Sequence, residues 1–346
     1  MTNASNMLFG LDTFGDMNYT DDGQPETAAQ VIRNVVAEAK LADELGIDAF
    51  NVGEHHRPDF AVSAPDTVLA GIATVTKNIT IGTGVTVLSS DDPVRVFQRF
   101  ATIDALSNGR AEITAGRGSF IESFPLFGYA LDDYDQLFEE KLELLTKLWE
   151  EKAVTWQGQL RASLNNQEVY PKTEKGSMGI RVGVGGSPDS VIRAARLGIP
   201  MALAIIGGDP ARFAPFAKLY RDYLEKLGKP ELPVSIHSPG HVAATDEEAI
   251  AQMWPGYNEG FGRIGKERGW GPMTVEHYMN EVNHGSLYVG SPETVAQKIA
   301  YAVRSVGASR FDLKYANGPM PHSQLMSSIE LYAKQVIPRV RELLAN

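Results

Sequence analysis

The sequence predicts a mixed α/β fold, a single (β/α)8 TIM barrel with insertions spanning residues 1–346. Three observations lead there. Strand-like runs rich in β-branched residues alternate with amphipathic helical periodicity along almost the whole chain. No Pro/Gly/Ser-rich stretch reads as a linker between domains. Residues able to do chemistry gather where strands end, the edge at which parallel α/β folds build their sites. A doubly wound open sheet with a small extra domain is the rival arrangement.

The first strand is expected at 7–14 and the first helix at 25–45. Gly46-Ile47-Asp48 turns the chain into a second strand, 48–55, and a helix at 66–76 follows. Residues 80–88, with their Ile, Val and Thr, make the third strand because such side chains fit a pleated, half-buried surface. Asn108-Gly109 closes the next helix, 94–107, with a glycine in the capping position. A fourth strand covers 111–118 and a strongly periodic helix 132–151. The alternation pauses at 153–170, where Gly158, Asn165 and Asn166 mark an inserted hairpin. It resumes with strand 180–186, helix 190–197, strand 201–206, helix 211–227, strand 234–243 and a helix from Glu247. Residues 257–285 are glycine-rich and lack clean periodicity. They read as a lid over the barrel rim or as an insertion without a gating role. Helix 292–306, strand 310–315 and helix 323–344 complete the chain.

With 43% hydrophobic and 22% charged residues the composition is that of a globular protein able to bury a full core. A net charge of −11 argues against nucleic acid and anionic membrane as partners. The absence of cysteine excludes disulfides, thiolate nucleophiles, iron–sulfur ligation and cysteine-bound zinc. No apolar run approaches the ~20 residues of a membrane span. The first residues show no basic-then-apolar leader, so a cytoplasmic location is expected.

Glu54-His55-His56 sits where the second strand gives way to a loop. An imidazole there can serve as acid, base or hydrogen-bond donor, and His55 reads as catalytic with Glu54 orienting. The plainer alternative is a histidine tied to a backbone carbonyl. Neighbouring side chains of a strand point to opposite faces, so His55 and His56 are not expected to act together. The same alternation spoils adjacent ligation, the other histidines lack tight spacing, and no metal is expected.

Gly82 and Gly84 in the third strand mark either close approach to a ligand or a tight barrel corner. Arg117, between Gly116 and Gly118, has room to reach a phosphate or carboxylate; a surface salt bridge is the alternative. The run from Gly183 to Ser190 leads a strand into a Ser-Pro helix start. Its exposed amides, with the Ser187 and Ser190 hydroxyls, offer a phosphate cradle, although plain N-capping explains the same residues. Neither G-x-G-x-x-G nor G-x-x-x-x-G-K-[ST] is present there, so nicotinamide or nucleotide binding is not indicated.

Glu54-His55-His56, Gly82-Thr83-Gly84-Val85, Asp92-Pro93-Val94-Arg95, Leu106-Ser107-Asn108-Gly109-Arg110 and Ala115-Gly116-Arg117-Gly118 occur in that order. The series resembles the bacterial luciferase-like, flavin-dependent monooxygenases, from about Phe9 to the carboxyl-terminal helix. The resemblance implies a barrel that binds FMN at its carboxyl-end rim and assembles as a homodimer or larger homo-oligomer. It implies reduced FMN as co-substrate, supplied by a separate flavin reductase, and dioxygen acting on a small organic substrate. It makes His55 the catalytic histidine and Gly84-Val85 a bulge, often with a cis peptide, behind the flavin ring. Arg117, Gly186, Ser187 and Ser190 then hold the phosphate, and Asp12 and Phe14 lie at the ring-side end of the first strand. Two positions depart from luciferase. Asp135 stands where luciferase has a second phosphate-binding arginine, and Ile205 roughly where it has a tryptophan near the flavin. The rival readings are a deazaflavin-dependent dehydrogenase of the same fold, a flavin-binding protein without catalysis, and a lyase or hydrolase of phosphorylated sugars.

Overall fold

The computed structural model describes residues 6–118, 120–269 and 271–345. The chain starts with β1 (Leu8–Thr13), α1 (Ala28–Glu44), β2 (Ala49–Val52) and α2 (Pro65–Val75). Next come β3 (Thr80–Thr83), β4 (Thr86–Val87), α3 (Pro93–Leu106), β5 (Glu112–Gly116), α4 (Ser123–Phe127) and α5 (Tyr134–Leu148). The hairpin β6 (Val154–Trp156) and β7 (Leu164–Gln167) leads to β8 (Gly179–Val184), α6 (Pro188–Leu197), β9 (Met201–Ala204), α7 (Ala214–Lys226) and β10 (Val234–Val242). Then follow α8 (Asp246–Arg268), α9 (Val275–His284), β11 (Tyr288–Gly290), α10 (Pro292–Val306) and β12 (Arg310–Lys314). The chain ends in α11 (His322–Leu331) and α12 (Ile337–Ala345), joined by a π-helical turn at Tyr332–Val336.

The sheet runs β3-β2-β1-β12-β10-β9-β8-β5-β4, and its pairings are parallel. β3 and β4 are two parts of one run, and Ile81 bridges to Ala111 at the start of β5, so the sheet closes on itself. The barrel expected from the alternation is the barrel found. β11 adds to β10 off this circuit, and β6 pairs antiparallel with β7 as the expected inserted hairpin.

Local chemistry sets the helix starts. Thr27, Asp92, Ser187 and Ser291 cap α1, α3, α6 and α10, each accepting a hydrogen bond from an amide of the first turn, and Pro follows in the last three. The strands alternate strictly. Phe9 and Leu11, Phe50 and Val52, and Phe311 and Leu313 are buried, and all belong to the core that packs with the helices. Between them Asp12, Asn51, Arg310, Asp312 and Lys314 point the other way, into the barrel, by the two-residue period of a strand. A barrel interior is ordinarily filled with branched apolar side chains; this one is polar.

Two segments differ from expectation. The run 80–88 is broken at Gly84-Val85, where the peptide is cis, and resumes as β4. Residues 257–285, whose sequence lacks clean periodicity, are largely helical, forming the end of α8 and all of α9. Ala249, Met253, Tyr257 and Phe261, four apart, line one face and pack with Tyr278 and Val282 in a separate small core. Gly256 belongs to the contact as well, since a Cβ there would lie 2.3 Å from the Pro319 carbonyl oxygen. The glycines that mask the helical pattern in the sequence let α8 approach the loop after β12.

Candidate active site at the carboxyl end of the barrel

The carboxyl ends of the strands enclose a cavity of about 530 Å³, a size typical of small-molecule sites. Asp12, Phe14, Glu54, His55, Gly84, Val85, Arg117 and Ser190 line it, from β1, β2, the β3–β4 break, β5 and α6. Gly186 and Ser187 lie on the same loop, but Gly185 rather than these two reaches the wall. Ile205 is fully buried in the core, and its neighbour Ile206 lines the cavity instead. The strand period explains the exchange, because adjacent residues face opposite ways.

At its base lies a buried ionic layer. Arg181 donates to Glu112 at 2.6 Å and to Asp312 at 3.2 Å, while Arg310 lies 2.8 Å from both carboxylates. Asn51 donates to Asp312 at 3.3 Å. Burial alone raises the Asp312 carboxyl, but Arg310 and Arg181 outweigh it and hold the group low.

Above this layer the polar atoms are less completely satisfied. Asp12 stands 3.5 Å from His237 Nδ1, its Oδ1 has no hydrogen-bond partner, and burial raises its carboxyl despite His237. A Cβ on Gly84 would fall 1.8 Å from Asp12 Oδ2, so only glycine fits against this carboxylate. Lys314 pairs with Asp16 at 3.1 Å and lies 4.6 Å from the centre of the Phe14 ring.

His55 is boxed by aromatic rings, with Phe14, Phe60 and Phe120 centred 4.5, 4.6 and 4.9 Å away. Its Nε2 is buried and has no hydrogen-bond partner. Burial, with Lys314 and Arg57 nearby, pushes its pKa down to about 3, so the ring is neutral at physiological pH. Glu54 reaches a different histidine. It lies 2.9 Å from His56 Nε2 and accepts from the Val87 amide at 3.1 Å, because residues two apart in an extended chain share a side. The orienting contact of Glu54 is therefore to His56 and β4, not to His55.

The opposite end is more open. Arg117 is 35% exposed; it donates to Asp135 at 2.6 Å and lies over the Tyr134 ring at 5.2 Å. Ser187 caps α6 by accepting from the Ser190 amide, and the Ser190 hydroxyl donates to the Ser187 carbonyl at 2.8 Å. Over the mouth, Tyr257, Gly260, Phe261, Arg263 and Ile264 of α8 form part of the lining. Arg263 pairs with Asp59, which also holds Arg57 at 3.1 Å, tying α8 to the loop after β2.

Asp16, Asp59, His237, Asp312 and Lys314 were not among the residues the sequence points to. The signal for part of the set was present: Arg310-Phe311-Asp312-Leu313-Lys314 alternates charged and apolar residues within a strand. Among the described residues no cluster of His, Asp and Glu has the arrangement of a metal site. No described helix is long and apolar enough to cross a membrane.

The chain resembles known proteins in sequence and in fold. A family model described as luciferase-like monooxygenase matches residues 14–310. The N-acetyl-S-alkylcysteine monooxygenase of Bacillus subtilis (strain 168) is 32% identical over 191 residues, 53% of this chain and of that protein. The chain thus aligns with about half the length of this relative, and with 39% and 44% of two others. Among solved structures, the oxygenating constituent of 3,6-diketocamphane monooxygenase from Pseudomonas putida, in complex with FMN, superposes with a TM-score of 0.76 at 19% identity, covering 96% of this chain and 98% of that one. An F420-dependent secondary alcohol dehydrogenase gives 0.74 at 16% identity over 96% and 99%. At such identities the likeness is one of fold.

Proposed function

This chain belongs to the luciferase-like monooxygenase family, and from that premise we propose that it is an FMN-dependent monooxygenase acting on a small, mainly apolar organic substrate. The observation that carries the reading is the rim cavity lined by Asp12 and His55, whose Oδ1 and Nε2 are buried without partners. Buried polar atoms are nearly always satisfied, and Asp12, His55 and Arg181, each with one such unpartnered atom, line this one cavity, which supports a ligand with polar edges. The lack of a side chain at Gly84 lets the Asp12 carboxylate pack against the β3–β4 break, on the wall of the same cavity.

Gly84, Val85, Asp12 and Phe14 would hold the ring end of FMN, and Arg117, Gly186, Ser187 and Ser190 its phosphate end. Reduced FMN, when bound, would supply the activation of dioxygen. The chain's own part is positioning and shielding. His55, neutral and free at Nε2, offers one hydrogen bond at the reacting region, donated or accepted according to its tautomer. Glu54 fixes the β2 end against β4. Phe60, Phe120, Phe261 and Ile264 make an apolar wall that excludes water and favours apolar substrates. The end of α8 acts as the lid. The chain carries no second nucleotide-binding motif, so a separate reductase delivers the reduced cofactor, and a homo-oligomer is the expected assembly.

The test is anaerobic titration with reduced FMN, in parallel with reduced deazaflavin F420, followed by admission of oxygen and spectroscopy. FMN binding that persists, with oxygen-dependent spectral change, supports the reading. A tighter deazaflavin complex inert to oxygen would assign the chain to the dehydrogenases instead.

A further inference from the structure

We propose that Asp135 acts as a built-in competitor for the cofactor's phosphate, keeping the anion end of the site electrically neutral and the flavin easily exchanged. This rests on the FMN reading above and extends it to how tightly the cofactor is held.

The placement is set by the barrel. β5 and β8 pair with Ala115 opposite Val182, which brings Arg117 beside the β8–α6 loop that carries Gly185 and Ser187. Arg117 lines the cavity here, and its guanidinium is already engaged by Asp135 at 2.6 Å, in the first turn of α5. The hydroxyl donors beside it are engaged as well. Ser190 Oγ donates to the Ser187 carbonyl, and the Ser187 and Ser190 hydroxyl oxygens lie 2.8 Å apart, within hydrogen-bond distance of each other. A phosphate arriving at this end therefore has to share or displace the Asp135 carboxylate, and any carboxylate left in place repels the dianion.

The pair is partly exposed, 35% at Arg117 and 74% at Asp135, so the competition is modest and screened by salt. That suits a co-substrate. A flavin that arrives reduced from another protein and leaves oxidised needs a weak anchor.

The experiment compares dissociation constants for FMN and for riboflavin, which lacks the phosphate, in wild-type protein, Asp135→Asn and Asp135→Arg. Asp135→Asn should tighten FMN about threefold to fivefold at low ionic strength, and Asp135→Arg on the order of tenfold. Riboflavin should be unchanged in both variants, and the FMN gain should shrink toward 1 M salt. Glu247→Gln, an exposed acid elsewhere, controls for net charge and should leave FMN binding alone. Unaltered FMN binding in Asp135→Arg, or an equal gain for riboflavin, overturns the proposal while leaving the FMN reading intact. If wild type and variants bind neither flavin, both fall together.

Discussion

Two layers of one barrel treat buried charge in opposite ways. In the lower layer Glu112, Arg181, Arg310 and Asp312 pair with one another, although Arg181 Nε is buried without a partner. In the layer above, Asp12 Oδ1 and His55 Nε2 are equally buried and bond to nothing. Both layers sit inside the same ring of strands, so burial does not distinguish them. What differs is the completeness of the pairing. On the FMN reading proposed above, the upper layer is the one that a bound ligand would complete, while the lower one is held mainly by its own ion pairs.

The comparison can be broken most forcefully from below. Arg310→Met should cost about 3–5 kcal/mol of stability in urea unfolding, because Glu112 and Asp312 then share a single cation in a dry interior. A loss below about 1 kcal/mol would mean that the layer is not held by its ion pairs. In the upper layer the large effect should fall on chemistry. His55→Ala is expected to lower turnover about 10²–10³-fold while FMN affinity moves only a few-fold, as single-turnover kinetics and titration would report. Equal losses in both would make His55 a packing residue of the aromatic box.

A smaller effect separates the layers by pH. With its pKa near 3 when folded against 6.5 as the ordinary value, His55 is neutral in the native state. Protonation therefore favours the unfolded chain. The associated stability is full above pH 6.5 and drains away as pH falls toward 3. Between pH 7 and 5 the wild type should lose about 2 kcal/mol relative to His55→Leu, measured by chemical denaturation at each pH. Parallel curves would show that His55 is not held neutral by its surroundings.

Much of the framework was legible because it follows from local rules. Helix 292–306 was read correctly to both ends, since Ser291 and Pro292 open it and Gly307, at φ +69°, closes it. Glu54-His55-His56 was located from its position after an apolar run. The other half of the site was hidden for a physical reason. His237 and Asp12 are 225 positions apart by number, as are Lys314 and Asp16 by a still longer stretch, and only closure of the barrel makes them neighbours. The helices within residues 257–285 are not legible in the sequence, because glycines look like helix breakers until Pro319 is seen lying against Gly256.

By itself the sequence determined the alternation of strands and helices outside α4, α9 and β11, the rim on which chemistry collects, and the histidine that lines it. Periodicity, caps and turn residues act over a few positions, and so they can be read from the chain directly. The tertiary structure alone decided which carboxylate meets which cation, that Glu54 serves His56, that Asp135 occupies Arg117, and which buried atoms stay unpaired. Those outcomes depend on distances across the barrel, and electrostatics in a dry interior is governed by such distances rather than by sequence separation.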